Sequence, residues 1–365
     1  MTLGPILCVC TRYSLGGAPM NAKMLAEQFR LRGYDAQAWY LMNVASETDR
    51  SDGVRILHDR PPPLLLWPAM LSNFRKEVRR VRPFAMIGFH PLANVASAVA
   101  SRSAGARFVG TQRNPADSQT PLLAKAEKWL GSRDFYHANI AVSQSVAESY
   151  GDYPAPYRAK MAVVHNALPP LPRISETKAE ARIALGLPPE DFLLGSLGRL
   201  ADQKNVEFLI DVMALLGTGT LAIAGEGPNE AAIREKIAAL GLDSRVRMLG
   251  PLTGRDVPLF YTAMDSFLMP SRFEGFGRTL VEAMSYGTRT IAHDLPVLRE
   301  VSKGAAALLP IDAPRWAEAI MEVQNASASR MAEWAAESRA VAQSYTLDAM
   351  VESYLNILGL PARSS

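Results

Sequence analysis

The chain has 365 residues, too many for one ordinary hydrophobic core and suited to two domains of average size. Apolar residues make up 48% and charged residues 21%, so the composition excludes disordered and fibrous proteins. No apolar run reaches the roughly 18 residues that span a bilayer, and the start MTLGPILCVC lacks the basic segment of a signal peptide. We therefore expect a cytoplasmic protein with packed domains.

The net charge of +3 conceals an uneven distribution. The first 168 residues hold 20 Lys and Arg against 12 Asp and Glu, a net charge of +8, whereas the remainder holds 19 against 24 and carries −5. A basic half attracts nucleic acid, an anionic membrane or an anionic small substrate. Nucleic acid is disfavoured, because no segment interleaves aromatic and basic residues over a groove-sized patch.

The first half alternates short apolar runs with amphipathic helical stretches. PILCVC, the helical MNAKMLAEQFRLRG and YDAQAWYL begin the series, and further strands are predicted at 85–89, 106–111, 138–142 and 161–165. This alternation predicts a parallel sheet with helices on both faces. Cys8 and Cys10 stand two apart in the first strand and point to one face, so we predict buried, reduced thiols.

A linker is predicted at 166–178, where NALPPLPRISETK breaks the periodicity with three prolines. A second alternating series follows, with strand candidates FLLGSLG, TLAIAG, VRMLG, SFLMP and RTIAHD, and the tail from Pro314 reads as three helices. We predict two doubly wound α/β domains, residues 1–167 and 168–346, that bind ligands at the carboxyl ends of their strands.

Residues 195–205, GSLGRLADQKN, carry a predicted strand into a glycine turn with Arg199 in the turn and Lys204 before the next helix. Two cations beside a helix N-terminus suit a phosphate, although an isolated pair is more often a solvated loop. AGEGPNE (224–230) has Glu230 where a dinucleotide fingerprint needs its third glycine. Its glycines serve either a turn with positive φ or a ligand contact.

SRFEGFGRTLVEAMSYG (271–287) reads as a loop followed by a helix that Gly287 caps, with Glu274 before the helix and Glu282 inside it. Both carboxylates can face one ligand: Glu274 a polyol and Glu282 a ribose, with the backbone N–H groups of the helix start facing a phosphate. The alternatives are a glycosidase pair, or a cap and a solvated helical residue. The cations upstream disfavour hydrolysis.

EGFGRTLVEAM resembles the E-x7-E signature of retaining glycosyltransferases, and the chain is identified as a member of glycosyltransferase family 4, with the GT-B fold of two Rossmann-like domains facing a central cleft. The resemblance covers nearly the whole chain and is strongest from about 192 to 301. GRLADQKN, AGEGP, VRMLG and SLGGAPM (14–20) resemble further family stretches in the same order. In such proteins the final helix, here about 347–365, joins the N-terminal domain.

The resemblance implies a retaining hexosyltransferase that moves a sugar from a nucleoside diphosphate sugar, with UDP favoured, to a glycan or lipid-linked acceptor in lipopolysaccharide, exopolysaccharide or other envelope glycan synthesis. No metal and no cofactor are expected, since cations and a helix N-terminus neutralise the leaving group. The N-terminal domain would bind the acceptor and the C-terminal domain the nucleotide sugar. The alternatives are a catalytically silent GT-B scaffold or regulatory protein, and a GT-B sugar-nucleotide enzyme of another reaction type.

The resemblance also implies roles for individual residues. Arg199 and Lys204 would bind the diphosphate, Glu274 the transferred sugar and Glu282 the ribose. The catalytic residues that it implies are Glu274, Arg199, Lys204 and His90. The substrate-binding residues are Gly16, Gly17, Gln112, Arg113, Met248, Leu249, Phe276, Gly277, Arg278, Thr279, Leu280 and Glu282.

The chain departs from the family pattern at GTQRNP, where Gln112 and Arg113 stand in place of a histidine that many relatives carry near the reacting sugar. His90, in GFHPLAN after another predicted strand, is the other candidate for that histidine. A structural role at the strand end is the alternative for His90.

Residues 61–82, PPPLLLWPAMLSNFRKEVRRVR, combine an apolar stretch with a basic helix. This pattern predicts either peripheral contact with the anionic inner face of the plasma membrane or an amphipathic helix with a solvated basic face. Because the first 168 residues carry a net charge of +8, we give the membrane contact and the solvated helix equal weight. The helix would bury Met70, Phe74, Val78 and Val81 and expose Arg75, Lys76, Arg79, Arg80 and Arg82.

Overall fold

A computed structural model describes residues 3–14, 17–45, 51–169, 172 and 174–362. The chain divides into two compact units, unit 1 with residues 1–167 and 347–365 and unit 2 with residues 168–346. Each unit contains a parallel sheet flanked by helices. The predicted fold class, two Rossmann-like α/β units, is therefore confirmed.

Unit 1 is built around a parallel sheet that has seven strands among the described residues, in the order β3-β2-β1-β4-β5-β6-β7. The strands are β1 (Ile6–Tyr13), β2 (Ala36–Asn43), β3 (Val54–Ile56), β4 (Ala85–Gly88), β5 (Arg107–Gln112), β6 (Ala138–Ala141) and β7 (Met161–Val163). The helices between them are α1 (Gly17–Leu31), α2 (Trp67–Val81), α3 (Pro91–Ala104), α4 (Pro121–Gly131), α5 (Gln144–Ser149) and α6 (Ala155–Arg158).

Unit 2 is built around a second parallel sheet, of six strands within its described part, in the order β10-β9-β8-β11-β12-β13. The strands are β8 (Leu193–Leu197), β9 (Thr220–Ala224), β10 (Val246–Gly250), β11 (Ser266–Met269), β12 (Arg289–His293) and β13 (Ala307–Leu309). The helices are α7 (Lys178–Ala184), α8 (Glu207–Leu215), α9 (Glu230–Ala239), α10 (Asp256–Ala263), α11 (Arg278–Ser285), α12 (Pro296–Ser302), α13 (Ala313–Gln324) and α14 (Ala328–Ala342).

The last helix, α15 (Leu347–Leu358), packs in unit 1. Its apolar residues Val351, Leu355 and Leu358 are buried beside the apolar side of α1. Polar contacts reinforce this packing, because Asp348 forms an ion pair with Arg32. The three helices predicted for the tail are confirmed as α13, α14 and α15.

The sheet of unit 1 separates two apolar clusters, because alternate residues of a strand point to opposite faces. Cys8 and Cys10 point with Ile6 toward α1 and α15, whereas Leu7 and Val9 point toward α2, α3 and α4. Both cysteines are buried and free, as predicted. Burial raises the pKa of Cys10 to about 12, so the thiol stays protonated.

Two strands, β3 and β13, were not predicted from the sequence. Each has three residues and lies at an edge of its sheet, where all three side chains are only partly buried. A segment this short and this exposed carries too little alternation to be recognised.

Within the described residues, no helix is both long and apolar enough to cross a bilayer.

Candidate functional site

The predicted donor-site motifs of unit 2 follow three neighbouring parallel strands. The turn at 198–205 follows β8, residues 225–229 follow β9, and the loop at 270–277 follows β11. Because β9, β8 and β11 are adjacent in the sheet, their carboxyl ends lie at one edge. The fold therefore brings the three motifs together.

Two glycines allow the first two of these loops to touch. A Cβ at Gly225 would lie 1.9 Å from the carbonyl oxygen of Gly198, and one at Gly227 would lie 2.2 Å from that of Leu200. The backbone N–H of Leu200 donates to the carbonyl of Glu226 at 2.9 Å, which fixes the contact. The glycines of AGEGPNE thus have a structural reason, the close approach of two backbones.

The turn after β8 carries Lys204 to the loop after β11. Lys204 Nζ lies 2.6 Å from Glu274 Oε1, and the two side chains are only 20% and 8% exposed. The loops are also joined through their backbones, since Arg272 N donates to Gln203 O at 2.8 Å. The predicted pair Lys204 and Glu274 is therefore in direct contact, whereas Arg199 is exposed at the surface of the turn.

The start of α11 lies beside this ion pair. Gly277 precedes the helix with φ of 81°, a conformation that favours glycine, and a Cβ there would lie 2.5 Å from Leu298 Cδ2, so that side chain would have to shift. The first N–H groups of a helix point out of its N-terminus. Thr279 Oγ1 and Ser271 Oγ are buried without a hydrogen-bond partner among the described atoms, and both residues line a small cavity with Lys204.

Glu282 is a buried residue whose carboxylate is held from two sides. Arg278 Nε donates to Oε1 at 2.7 Å, and the Tyr261 hydroxyl donates to Oε2 at 2.8 Å. The Tyr261 ring is buried and stacks on Tyr286 with centroids 5.6 Å apart. Burial, with a further effect of the Glu282 charge, raises the pKa of Tyr261 well above its ordinary value, so the phenol remains a donor. Glu282 is therefore not a solvated helical residue.

The remaining predicted residues of unit 2 lie near the same sheet edge or in the core. Met248 and Leu249 are in β10, the strand next to β9, and both are partly exposed. Phe276 is buried, and its ring packs edge-on against Tyr345 with centroids 5.2 Å apart. Because the Phe276 ring faces the core, only its backbone is available to a ligand, as predicted for residues 276–280.

In unit 1, His90 follows β4 and precedes the first residue of α3. Its Nδ1 lies 3.1 Å from the sulfur of Cys10. Burial, aided by the positive charges of Arg113 and Arg12, lowers the pKa of His90 to about 4, so the ring is neutral. If the protonated Cys10 thiol donates to Nδ1, the neutral imidazole carries its own proton on Nε2.

Gln112 and Arg113 point to different environments, as neighbours along an extended chain do. The Gln112 amide is buried, where Nε2 donates to the Tyr157 hydroxyl and Oε1 accepts from the Tyr150 hydroxyl, each at 2.9 Å. Arg113 is near His90 and donates to Asn166 Oδ1 at 2.8 Å. The substrate roles of these residues stay predictions.

Gly17 is the first residue of α1, and Gly16 lies outside the described residues.

Glu127 was not singled out in the sequence, and it proves to be fully buried in α4. Its four hydrogen-bond donors are all neutral side chains. Burial raises the pKa of Glu127, and these hydrogen bonds offset the rise only in part. The donors are Asn94 at 2.7 Å, Gln119 at 2.9 Å, and Gln112 and Tyr136 at 3.3 Å each.

Among the described residues, no group of three or more His, Cys, Asp and Glu side chains is arranged to hold a metal ion. The charged groups near the strand ends of unit 2 include two ion pairs, Lys204 with Glu274 and Arg278 with Glu282. Cations, carboxylates and helix N–H groups at one edge can bind a ligand that carries both phosphate and hydroxyl groups.

Comparison with known proteins identifies the family. A family model for glycosyl transferases group 1 matches residues 177–339, and a model for Glycosyltransferase Family 4 matches residues 15–170. The two matches cover most of both units. The chain belongs to glycosyltransferase family 4.

This glycosyltransferase is similar to several curated proteins. It is 35% identical over 139 residues to the lipopolysaccharide core biosynthesis mannosyltransferase LpsB of Rhizobium meliloti, which covers 35% of the chain and 39% of the relative. It is 27% identical over 277 residues to the D-inositol 3-phosphate glycosyltransferase of Mycolicibacterium smegmatis, covering 72% of the chain and 61% of the relative. The matched regions are thus less than two thirds of these relatives.

The glycosyltransferase also resembles solved structures over its full length. The Anabaena protein HepE in complex with UDP and glucose superimposes with a TM-score of 0.83 over 98% of this chain and 99% of its own, at 20% identity. At this identity the likeness shows the fold, which is GT-B. Both Rossmann-like units of the glycosyltransferase are therefore accounted for.

The buried Glu127 predicts how the stability of the glycosyltransferase depends on pH. A carboxyl whose pKa is raised in the folded state stabilises the fold at low pH. This contribution is complete below the ordinary carboxyl pKa of 4.5 and is lost as the pH rises through the pKa of the folded state. Glu127→Gln removes the titrating group. Its amide can also donate a hydrogen bond to Gln119 Oε1, which is buried and has no hydrogen-bond partner among the described atoms.

We expect Glu127→Gln to raise the thermal midpoint relative to wild type at about pH 8 and to lose that advantage toward about pH 5. Glu148→Gln, at an exposed position of α5, is the matched control and should follow wild type at every pH. Parallel curves for wild type and Glu127→Gln would contradict the assignment of a raised pKa.

The Tyr261 hydroxyl predicts a stability cost at the Glu282 site. Tyr261→Phe deprives a buried carboxylate oxygen of its donor, and we expect a loss of about 1 to 3 kcal/mol in the free energy of unfolding. Tyr286→Phe is the control, because that hydroxyl donates at 3.1 Å to the carbonyl of Pro172 in an exposed position. Equal losses in the two variants, measured by urea denaturation, would show that the Glu282 contact carries no special weight.

Proposed function

We propose that the glycosyltransferase transfers a sugar, with retention of anomeric configuration and without a metal, from a nucleoside diphosphate sugar to a glycan or lipid-linked acceptor. The observation that carries this proposal is the convergence of Lys204, Glu274 and the start of α11 at one edge of unit 2. UDP is the favoured nucleotide, because UDP sugars are the expected donors in this family. The structural neighbour HepE was solved in complex with UDP and with UDP-glucose, which agrees with this choice.

Each group at this edge has a part in binding the donor. Arg199 and Lys204 bind the diphosphate, with the N–H groups at the start of α11 as further donors. Glu274 binds a hydroxyl of the transferred sugar and Glu282 the ribose hydroxyls. Met248 and Leu249 contact the base through their backbones. Cations and helix N–H groups neutralise the leaving diphosphate, which is the task a divalent ion performs in other transferases.

The reaction needs no nucleophile from the protein. The acceptor oxygen attacks the anomeric carbon on the face from which the diphosphate departs, so the new C–O bond forms as the bond to the phosphate oxygen breaks. That phosphate oxygen takes the proton of the acceptor hydroxyl. In unit 1, Arg113 and His90 contact the substrates, and the neutral His90 ring acts as a hydrogen-bond donor from Nε2 rather than as an acid.

A donor screen tests the proposal. Thermal shift and slow donor hydrolysis are measured with the full chain and a panel of UDP, GDP and ADP sugars. We expect one donor to stabilise wild type, and Glu274→Gln to lose most of the shift given by the sugar nucleotide. Glu230→Gln is the matched control, because Glu230 also pairs with an arginine in unit 2 but lies on α9.

Stabilisation by none of the donors, or an unchanged response in Glu274→Gln, would contradict the transferase assignment. A response to the nucleoside diphosphate that is the same in wild type and Glu274→Gln, with a smaller response to the sugar nucleotide in the variant, is the expected pattern. It separates recognition of the sugar from recognition of the diphosphate.

The proposed pathway is bacterial envelope glycan synthesis, with the acceptor presented at the inner face of the plasma membrane. The name of the relative LpsB supports this class of acceptor. In unit 1, Met70, Phe74 and Val78 of α2 are buried, so the apolar face of the helix belongs to the core. The preceding Leu64, Leu65 and Leu66 are 77%, 89% and 51% exposed, however, and are free to touch lipid.

Charge reversal at α2 tests this contact. We expect Arg79→Glu with Arg80→Glu to weaken sedimentation with anionic liposomes at low salt, because both cations are exposed in the last turn of α2, the helix that Leu64–Leu66 precede. Arg315→Glu with Arg330→Glu makes the same charge change at exposed positions of unit 2 and serves as the control. Equal binding by both double variants would exclude α2 from the contact.

A further inference from the structure

The two helix layers of unit 1 differ in charge. α2, α3 and α4 pack on the side of the sheet that contains Phe74 and Leu130, whereas α1 and α15 pack on the opposite side. Seven Lys and Arg against two Asp and Glu, a net charge of +5, belong to α2, α3 and α4. α1 and α15 together hold two against three, a net charge of −1.

The acidic residues do little to offset this excess on the α2–α4 side. Glu127, in α4, is buried and its raised pKa favours the neutral form. Glu77, in α2, is engaged by Arg55 and lies 3.4 Å from Arg80. The three helices therefore present Lys and Arg with little opposing charge of their own, which is complementary to an anionic partner. Asp134, exposed after α4, is the acidic neighbour of Arg133.

α4 adds an exposed apolar stripe to this basic layer. Leu122 and Trp129 are 79% and 52% exposed, and they lie seven residues apart on one side of the helix, turned away from the buried Glu127. Lys125 is exposed between them. A soluble helix normally places polar residues at such positions. The Trp129 ring touches Phe135, with centroids 5.8 Å apart, but this contact leaves half of the side chain exposed.

A cation accompanies the exposed indole. The guanidinium of Arg133 lies over the Trp129 ring, 4.2 Å from its centroid, and donates to the Trp129 carbonyl at 2.8 Å. Trp and Leu insert at the boundary between lipid headgroups and acyl chains, while Arg and Lys bind the lipid phosphates above them. An apolar stripe flanked by cations has the chemistry of a surface that binds an anionic bilayer.

We infer that α4 is a second bilayer anchor, in which Leu122 and Trp129 insert while Lys125 and Arg133 bind anionic headgroups. With Leu64–Leu66 before α2, it gives the α2–α4 layer two apolar anchors on one side of the sheet. The anchors are separated by α3, whose one charged residue is Arg102. The inference extends the proposed bilayer contact and rests on that part of the proposed function. It makes the α2–α4 side of unit 1, rather than one helix, the membrane face.

The test uses the full chain and vesicles of phosphatidylglycerol and phosphatidylcholine in equal parts, with pure phosphatidylcholine for comparison. Leu122→Ser with Trp129→Ser removes the apolar side chains and keeps every charge. We expect its partition onto the anionic vesicles to fall about tenfold or more, because the buried apolar area of the anchor is lost. Leu215→Ser with Leu240→Ser, at positions of unit 2 that are 55% and 46% exposed, should bind like wild type.

A second measurement reports insertion directly. Brominated lipids should quench part of the tryptophan fluorescence of wild type, and Trp129→Phe should reduce that quenched part while it retains vesicle binding. The remaining quenching comes from Trp67, which directly follows Leu64–Leu66 and is partly exposed. Wild-type partition by Leu122→Ser with Trp129→Ser, equal binding of wild type to neutral and anionic vesicles, or identical quenching in wild type and Trp129→Phe would each overturn the inference. So would a solution dimer that the double serine variant disperses, since it would assign the stripe to a second copy of the chain.

Failure of this inference is distinguishable from failure of the transferase proposal. Donor-induced thermal shifts without lipid should be the same in wild type and in the double serine variant, because Leu122 and Trp129 belong to unit 1 and the proposed donor site to unit 2. Vesicle binding without any donor response would contradict the transferase and leave the anchor intact. A donor response, together with wild-type vesicle binding by the double serine variant, would contradict the anchor and leave the transferase proposal intact.

Discussion

The ion pair between Lys204 and Glu274 is the interaction around which the candidate site of unit 2 is organised. It joins the loop after β8 to the loop after β11, and both side chains are largely withdrawn from water. Desolvation makes such a pair a poor source of stability, so its value lies in the positions it fixes. The pair holds a cation and a carboxylate at adjacent points of one sheet edge, where a phosphate and a sugar hydroxyl can be bound together.

The surrounding backbone is shaped to allow this contact. Gly225 and Gly227 let the loop after β9 lie directly on the turn that carries Lys204, and Gly277 lets α11 begin against Leu298. Side chains at Gly225 and Gly227 would displace the turn that carries Lys204, because both would meet its backbone oxygens. The glycines of the motifs therefore shape the candidate site through the backbone.

Much of this site could be predicted from the sequence, because it depends on strand order and on short motifs. Parallel strands place their carboxyl ends at one edge, so the motifs that carry Lys204 and Glu274 could be assigned to one site although 70 residues separate them. The ion pair between the two side chains was not predicted. The partners of Glu282 and Gln112 could not be predicted, since Tyr261 and Tyr157 reach them only through tertiary packing. The edge strands β3 and β13 were missed because three partly exposed residues show no periodicity.

In unit 1 the structure decides how the helix predicted within residues 61–82 packs. The sequence left open whether the basic helix α2 was a membrane contact or a packed amphipathic helix, and the structure buries its apolar face in the core. Any bilayer contact must then use apolar groups outside that face, and the exposed ones on or next to α2, α3 and α4 include Leu64–Leu66, Val99 and the stripe of α4. The charge excess of the first half is likewise resolved into one helix layer, with the opposite layer near neutrality. A packed domain can in this way present a membrane face without taking apolar residues from its core.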